Sequence, residues 1–328
     1  MPGHATRKTG TPLTYACPPM VEDADALNPM QSAVLDALAR SPDWRPLPAS
    51  AIDEARRVLH EGLAPLADRY TQQRSLWLSK SSLAAVHACE ASFLATRDSF
   101  EWNASTATGT VLHKAIELTI HWRGDPVPGD VVDEALARLA DDQRSIGDYI
   151  ESIGAAERAQ LRGNVVDLLT RFEECFPPLK PSWRPVTESS ARYELFDGAI
   201  VLGCRSDLTL GMPGAKVIVD FKSGGIHPRH REDLRFYALV EAMRSGMAPR
   251  RLATYSLSAA RADVEEVTEG VLQAAARRVI AAARAMTEIV LDERPATRRP
   301  GVQCRWCPLN TECEPGVSYL SGDVEDEI

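Results

Sequence analysis

The sequence predicts an α/β (α+β) protein, and three observations carry that reading. Two β-type runs, 201–210 and 215–221, flank the turn residues 211–214. Further strand-like runs stand at 193–196, 251–258 and 262–267, the first followed by the turn signal Asp197-Gly198. Helical periods fill most of the chain on either side of these runs.

The elements follow in chain order. Residues 1–28 carry Pro2, Pro12, Pro18 and Pro19, show no period and read as irregular. Residues 28–40 read as a short amphipathic helix with Asn28 as N-cap and Pro29 at its first position. Residues 50–70 read as a longer helix, capped by Ser50, with Ile52, Ala55, Val58, Leu59, Leu63 and Leu66 in helical period. A helix capped by Ser79 or Ser81 is expected to run to about Arg97 and to carry Cys89. Residues 108–123 form another, entered at Gly109, with His113 and Glu117 on one face. Helical sequence continues over 130–140 and 155–176 until Pro177, Pro178 and Pro181 end it. Beyond the strands at 201–221, residues 233–244 and 270–290 read as helices.

The stretch 201–224 concentrates the chemistry. Asp207 lies in its first strand, Asp220 near the end of the second, and Lys222 two positions later. Strand alternation puts Asp220 and Lys222 on one side and Phe221 on the other, and a hairpin brings Asp207 beside Asp220. Val217, Ile218, Val219 and Phe221 imply burial, and buried charges need partners. Two carboxylates with one ammonium suit Mg²⁺, which takes one or two carboxylates plus substrate phosphate. In that setting Lys222 orients a water or stabilises growing negative charge.

Composition sets the bounds. The chain has 328 residues, 44% hydrophobic and 25% charged, and a formal net charge of −9. That sign argues against nonspecific coating of nucleic acid, although an acidic protein can carry a basic groove. No apolar run reaches membrane-spanning length and the first residues lack an apolar signal core, so no membrane partner and a cytoplasmic location are expected. The tail 317–328 is acidic, with Asp323, Glu325, Asp326 and Glu327.

Seven cysteines, an odd number, do not suggest a disulfide framework. Cys304, Cys307 and Cys313 form a C-x2-C-x5-C run, which points to metal and leaves a four-ligand site one short. Cys89 is the candidate fourth ligand. Zn²⁺ and a [4Fe–4S] cluster both accept four cysteines, and a single ligand so far upstream favours the cluster.

Five signals in order resemble the RecB-like branch of the PD-(D/E)xK nucleases, which includes CRISPR-associated exonucleases with an iron–sulfur cluster and AddB-type nuclease domains. They are Cys89; G-x-x-x-H as Gly109 and His113; Gly203 and Asp207; D-x-K as Asp220, Phe221 and Lys222; and the C-terminal cysteine triplet. The resemblance covers residues 76–316, leaving 1–75 as a helical extension. It departs from the family in three places. No Pro follows Cys89, Gly203 lies one residue further from Asp207 than usual, and Asp233 stands where the family has Gln, four before Tyr237.

The resemblance implies a restriction-endonuclease-like mixed central β-sheet flanked by helices, with an iron–sulfur clasp joining the domain ends. It implies His113, Asp207, Asp220 and the Phe221 carbonyl as ligands of Mg²⁺ or Mn²⁺, and Lys222 as the group that assists the attacking water. Tyr237 and Asp233 would lie on the substrate path, where Asp233 would repel phosphate unless Arg229, Arg231 or Arg235 neutralised it. The function implied is a DNA exonuclease acting on single strands or duplex ends in repair, recombination or defence, alone or with a helicase or other repair proteins. Two other readings stand beside it: a non-catalytic DNA-end-binding or scaffold subunit, and a zinc-stabilised protein without a nucleic-acid role.

Overall fold

The computed structural model describes residues 27–98, 100–141 and 145–322. The irregular N-terminus, Cys17 and the four acids of the tail lie outside the described residues. Among them, no helix is long and apolar enough to cross a membrane.

Six strands form one mixed sheet: β1 (Leu76–Leu78), β2 (Val186–Leu195), β3 (Ile200–Leu210), β4 (Val217–Lys222), β5 (Arg251–Ser256) and β6 (Arg261–Glu266). The β2–β3, β3–β4 and β5–β6 pairs are antiparallel, whereas β1 pairs β3 and β4 pairs β5 in parallel. β2 runs beside β3 along almost its whole length. β1 and β4 therefore share the opposite edge, β1 at Ile200–Leu202 and β4 at Leu208–Leu210. Between those two ladders the sheet forks.

Helices cover both faces. On one side lie α2 (Ala49–Ala67), α3 (Lys80–Ala88), α9 (Pro228–Ser245) and α10 (Glu269–Val290), packed on Ile200, Leu202, Ile218 and Leu252. On the other lie α1 (Pro29–Leu38), α5 (Ala104–His121), α6 (Pro128–Asp141), α7 (Ser145–Ser152) and α8 (Ala155–Cys175), packed on Val217, Val219, Phe221 and Tyr255. Strict alternation in β4 feeds the two cores: Ile218 enters one while Val217, Val219 and Phe221 enter the other. β3 changes allegiance midway, from Leu202 in the first core to Leu208 in the second.

Several elements differ from the sequence reading. The segment read as one helix to Arg97 breaks at Cys89 into α3 and α4 (Glu90–Thr96), with Cys89 extended at φ −165° between them. α5 starts at Ala104, capped by the Asn103 side chain, so Gly109 lies inside it rather than at its entry. α2 starts at Ala49 behind Pro48, with Ser50 inside the helix and no side-chain cap. β2 begins at Val186, seven residues earlier than its apolar content indicates, because the half-exposed stretch Val186–Arg192 has little hydrophobic alternation to read. The tail's first residues belong to α11 (Glu314–Ser321).

α1 and α2, the two helices before the strands, contribute to the cores. α2 buries Leu59 and Leu63 completely against α10. Gly62 makes that approach possible: a Cβ there would lie 2.4 Å from Cδ1 and 2.7 Å from Cγ1 of Ile280. Ile280 is β-branched on a helix and has no free rotamer to yield. Gly62→Ala should therefore destabilise the protein by about 1–2 kcal/mol in urea unfolding, overpacking outweighing the helix-propensity gain. A stabilised variant would show that α10 can shift away without cost.

Candidate functional site

The site is assembled at the fork. The β3–β4 ladder stops at Leu208↔Val219, and the next position in register would place Asp207 opposite Asp220. On the other edge, Thr187↔Leu208 and Ser189↔Ser206 bracket Glu188 opposite Asp207. Glu188, Asp207 and Asp220 thus come abreast on three adjacent strands. Like charges so placed repel, and the arrangement persists only because other groups compensate.

Asp207 makes the connecting contact. Its Oδ2 accepts the Phe221 backbone N–H at 2.7 Å, replacing the ladder bond that the fork removes. Its Oδ1 lies 3.1 Å from Nδ1 of His113, which reaches in from α5. Oε1 of Glu188 lies 3.8 Å from the same nitrogen, and the Arg205 guanidinium holds the other Glu188 oxygen at 2.5 Å. Glu188 has φ +49°, a left-handed conformation rare for a non-glycine residue inside a strand. Burial alone lowers the basicity of His113, but Asp207 and Glu188 outweigh it and push its pKa up to about 10.

Asp220 is fully buried and held by two lysines. Lys222 contacts Oδ2, and Nζ of Lys80, at the start of α3, lies 3.2 Å from Oδ1. Burial raises the Asp220 carboxyl, yet the two ammonium groups carry it below the ordinary range. Lys80 also sits 5.3 Å from the centre of the Tyr237 ring. Burial opposes its charge, and Asp220 and Tyr237 restore it, raising its pKa. Burial and Lys222 push the buried His230 down to about 4, in keeping with its Nδ1 accepting the His227 backbone N–H.

Asp233 lies on α9 one turn before Tyr237, and burial raises its pKa against the pull of Lys80 and Lys222. The arginines expected to neutralise it are largely engaged elsewhere. Arg231 pairs with Asp263, and Arg235 pairs with Glu232 and Glu265. Lys80 and Lys222 oppose the effect of Asp233 burial most strongly, with Arg229 a weaker influence. Glu117, which shares the His113 face, pairs with Lys114.

His113, Glu188 and Asp207 offer one ligand atom each within 4.8 Å of one another, the one such group among the described residues. An imidazole and two carboxylates fit Mg²⁺ or Mn²⁺. Asp220 lies beside this group but is occupied by its lysines. Phe221 presents its backbone at the fork, where its N–H is bound to Asp207. The sequence reading missed Glu188, whose strand shows no alternation, and Lys80, whose only local mark is a position next to the capping Ser79.

A second group of predicted site residues meets away from the fork. Cys89, Cys304, Cys307 and Cys313 line one small cavity between the α3–α4 break and the C-terminal loop. No three of their sulfurs come within 4.8 Å of one another among the described residues. Gly316 borders the same cavity, and a Cβ there would lie 3.5 Å from Sγ of Cys313 and 3.6 Å from Sγ of Cys304. Beside it, Arg294 forms a bidentate pair with Glu90 at 2.6 and 2.8 Å, and the Arg299 backbone N–H donates to Sγ of Cys89. The Arg294 guanidinium holds the Glu90 carboxyl at about 2.

A profile described as the PD-(D/E)XK nuclease superfamily matches residues 77–314. Among solved structures, an exonuclease candidate from Eubacterium rectale aligns with a TM-score of 0.46 at 13% identity, over 79% of this chain and 93% of that one. The structure of SSO0001 aligns with a TM-score of 0.30 at 14% identity, over 64% of this chain and 96% of its own. No curated protein sequence matches the chain.

The raised pKa of His113 has a signed consequence in metal-free protein. A folded-state value of about 10, against 6.5 when unpaired, gives stabilisation that is complete below pH 6.5 and lost as pH rises through about 10. The stability advantage of wild type over His113→Gln in urea unfolding should be largest at pH 6 and shrink toward pH 10. An advantage that stays flat or grows with pH would remove the His113–Asp207 pairing as its source.

Proposed function

This chain belongs to the PD-(D/E)XK nuclease superfamily, and from that premise we propose that it is a metal-dependent deoxyribonuclease acting as an exonuclease. The observation that carries the reading is the convergence of Glu188, Asp207, Asp220 and Lys222 at the fork, with His113 closing one side. The proposed setting is cytoplasmic DNA repair, recombination or defence.

His113, Glu188 and Asp207 would hold Mg²⁺ or Mn²⁺, joined by Asp220 and the Phe221 carbonyl. When bound, the metal polarises a phosphodiester oxygen and lowers the pKa of a coordinated water. His113 would ligate only through an unprotonated ring nitrogen, so the proton that Asp207 and Glu188 favour on its ring would have to be lost for it to hold the metal. Asp220 fixes the Lys222 ammonium at the mouth of the site, where Lys222 orients the attacking water and stabilises charge on the phosphorane. Lys80 keeps Asp220 ionised and anchored from the opposite side. Tyr237 borders the cleft, and Asp233, one turn earlier on α9, would lie beside the approach. With its pKa raised, Asp233 repels an incoming phosphate less than an exposed aspartate does.

We assign a structural [4Fe–4S] cluster to Cys89, Cys304, Cys307 and Cys313, on the grounds that all four thiols border one cavity and that Gly316 leaves room beside two of them. Zn²⁺ accepts the same four cysteines, and the single ligand far upstream of the triplet is what favours the cluster over a locally ligated zinc knuckle. The Glu90–Arg294 pair already ties the same two segments, so the cluster adds to an existing clasp.

Anaerobically purified protein should degrade end-labelled linear DNA with Mg²⁺ or Mn²⁺ and leave a closed circle intact. Asp220→Asn and Lys222→Met should abolish the reaction, and Glu188→Gln should raise the metal concentration required by about tenfold or more. Inactivity of folded, metal-supplied wild type would instead favour the non-catalytic reading, and cleavage of the circle would make the enzyme an endonuclease. Chemical analysis should find iron and acid-labile sulfide in wild type, and neither in Cys304→Ser, which should melt at a lower temperature. Zinc in place of iron would overturn the cluster assignment.

A further inference from the structure

The D-x-K motif accounts for one of the two lysines on Asp220, and the other, Lys80, comes from 140 residues away. Its route is set by β1. That strand runs parallel to β3 and its ladder ends at Leu78↔Leu202, so the chain leaves β1 heading into the fork, where α3 begins with Lys80. Ser79 caps α3 through a reciprocal box with Ser82 and fixes where the helix starts. A cation in the first turn of a helix meets the positive end of its dipole, the unfavourable sign for that position.

Asp220 compensates for that position. Nζ of Lys80 lies 3.2 Å from Oδ1 of Asp220, while Lys222 contacts the other oxygen. The buried Tyr237 ring on α9 has its centre 5.3 Å from the same Nζ. The Lys80 side chain is 34% exposed, and it borders an open cleft of about 1420 Å³ together with Trp77, Ser79 and Lys222. An ammonium has three N–H donors, so Lys80 can keep its contact with Asp220 and still donate into the cleft.

Enzymes that cleave phosphodiesters with two divalent ions set them about 3.5–4 Å apart, one at the attacking oxygen and one at the leaving oxygen. Each ion needs anionic ligands. Among the described residues His113, Glu188 and Asp207 form the one group of three. Glu117 is taken by Lys114, which leaves Asp220 and Asp233 beside that group for a second ion. Both already face Lys80. Asp220 touches it, and Asp233, one turn before Tyr237, feels it more strongly than any other cation. The charges of the row agree. Arg205, Lys80 and Lys222 balance Glu188, Asp207 and Asp220, so a single divalent ion matches the two negative charges of a phosphorane.

We propose that the Lys80 ammonium occupies the place of a second divalent ion, so that the site holds a single Mg²⁺ or Mn²⁺ and Lys80 binds the phosphate oxygen that a second ion would take. This rests on the nuclease reading of the same site and deepens it by fixing its metal count. A tethered ammonium supplies its charge at every metal concentration, whereas a second ion would have to be bound from solution.

The test is Mn²⁺ binding to the anaerobically purified full chain, followed by electron paramagnetic resonance, which counts bound ions and separates an isolated ion from a spin-coupled pair without any turnover. Wild type should bind one Mn²⁺ with an isolated-ion spectrum. Lys80→Ala should bind two, with the spectrum of a coupled pair, and Lys80→Arg, which keeps the charge, should bind one. Adding Asp233→Asn to Lys80→Ala should return the count to one. A coupled pair in wild type, or a single ion in folded Lys80→Ala, would overturn the proposal. Binding of no ion by wild type would instead fail the metal site of the nuclease reading, and this inference with it. Far-ultraviolet circular dichroism checks folding, and if Lys80→Ala does not fold, Lys80→Gln takes its place.

Discussion

The contact on which the site depends is the hydrogen bond from the Phe221 amide to the Asp207 carboxylate. Where β3 and β4 part, the Phe221 N–H would otherwise be left without a ladder partner, and an unsatisfied buried amide costs about 1–3 kcal/mol. Asp207 fills that role with one oxygen and has the other free for His113. The same bond fixes the register that sets Asp220 alongside. The carboxylate row is therefore a consequence of how the sheet forks, and the strained Glu188 at φ +49° is its third member.

Three carboxylates abreast in a partly dry site would be untenable by themselves. The protein offsets them with His113 from α5 and Lys80 from α3, and with Arg205 and Lys222 from the carboxylates' own strands β3 and β4. The helices of the two faces thus meet chemically at the sheet as well as through their cores. On the proposed reading, a divalent cation would take over from the His113 proton the charge that offsets Glu188 and Asp207, while Lys80 and Lys222 stay on Asp220. The Glu90–Arg294 pair ties the start of α4 to the segment after α10, between which the four thiols border one small cavity.

The sequence by itself determined the strands at 201–221, the alternation that buries Phe221 while Asp220 and Lys222 meet, and the order of Gly109-His113, Asp207, D-x-K and the cysteine triplet. These were legible because they rest on local rules: period two in a strand, period 3.6 in a helix, and turn chemistry between. Tertiary structure decided the rest. Glu188 became part of the site because β2 pairs with β3 in a register that its half-exposed sequence does not encode locally. Lys80 reached Asp220 across 140 residues because α3 packs on the face where Asp220 emerges. Trp77 faces the cleft because a three-residue strand pairs in parallel with β3. Pairing partners, register and the side from which a helix approaches are set by the whole core at once, and no local stretch of this chain carries them.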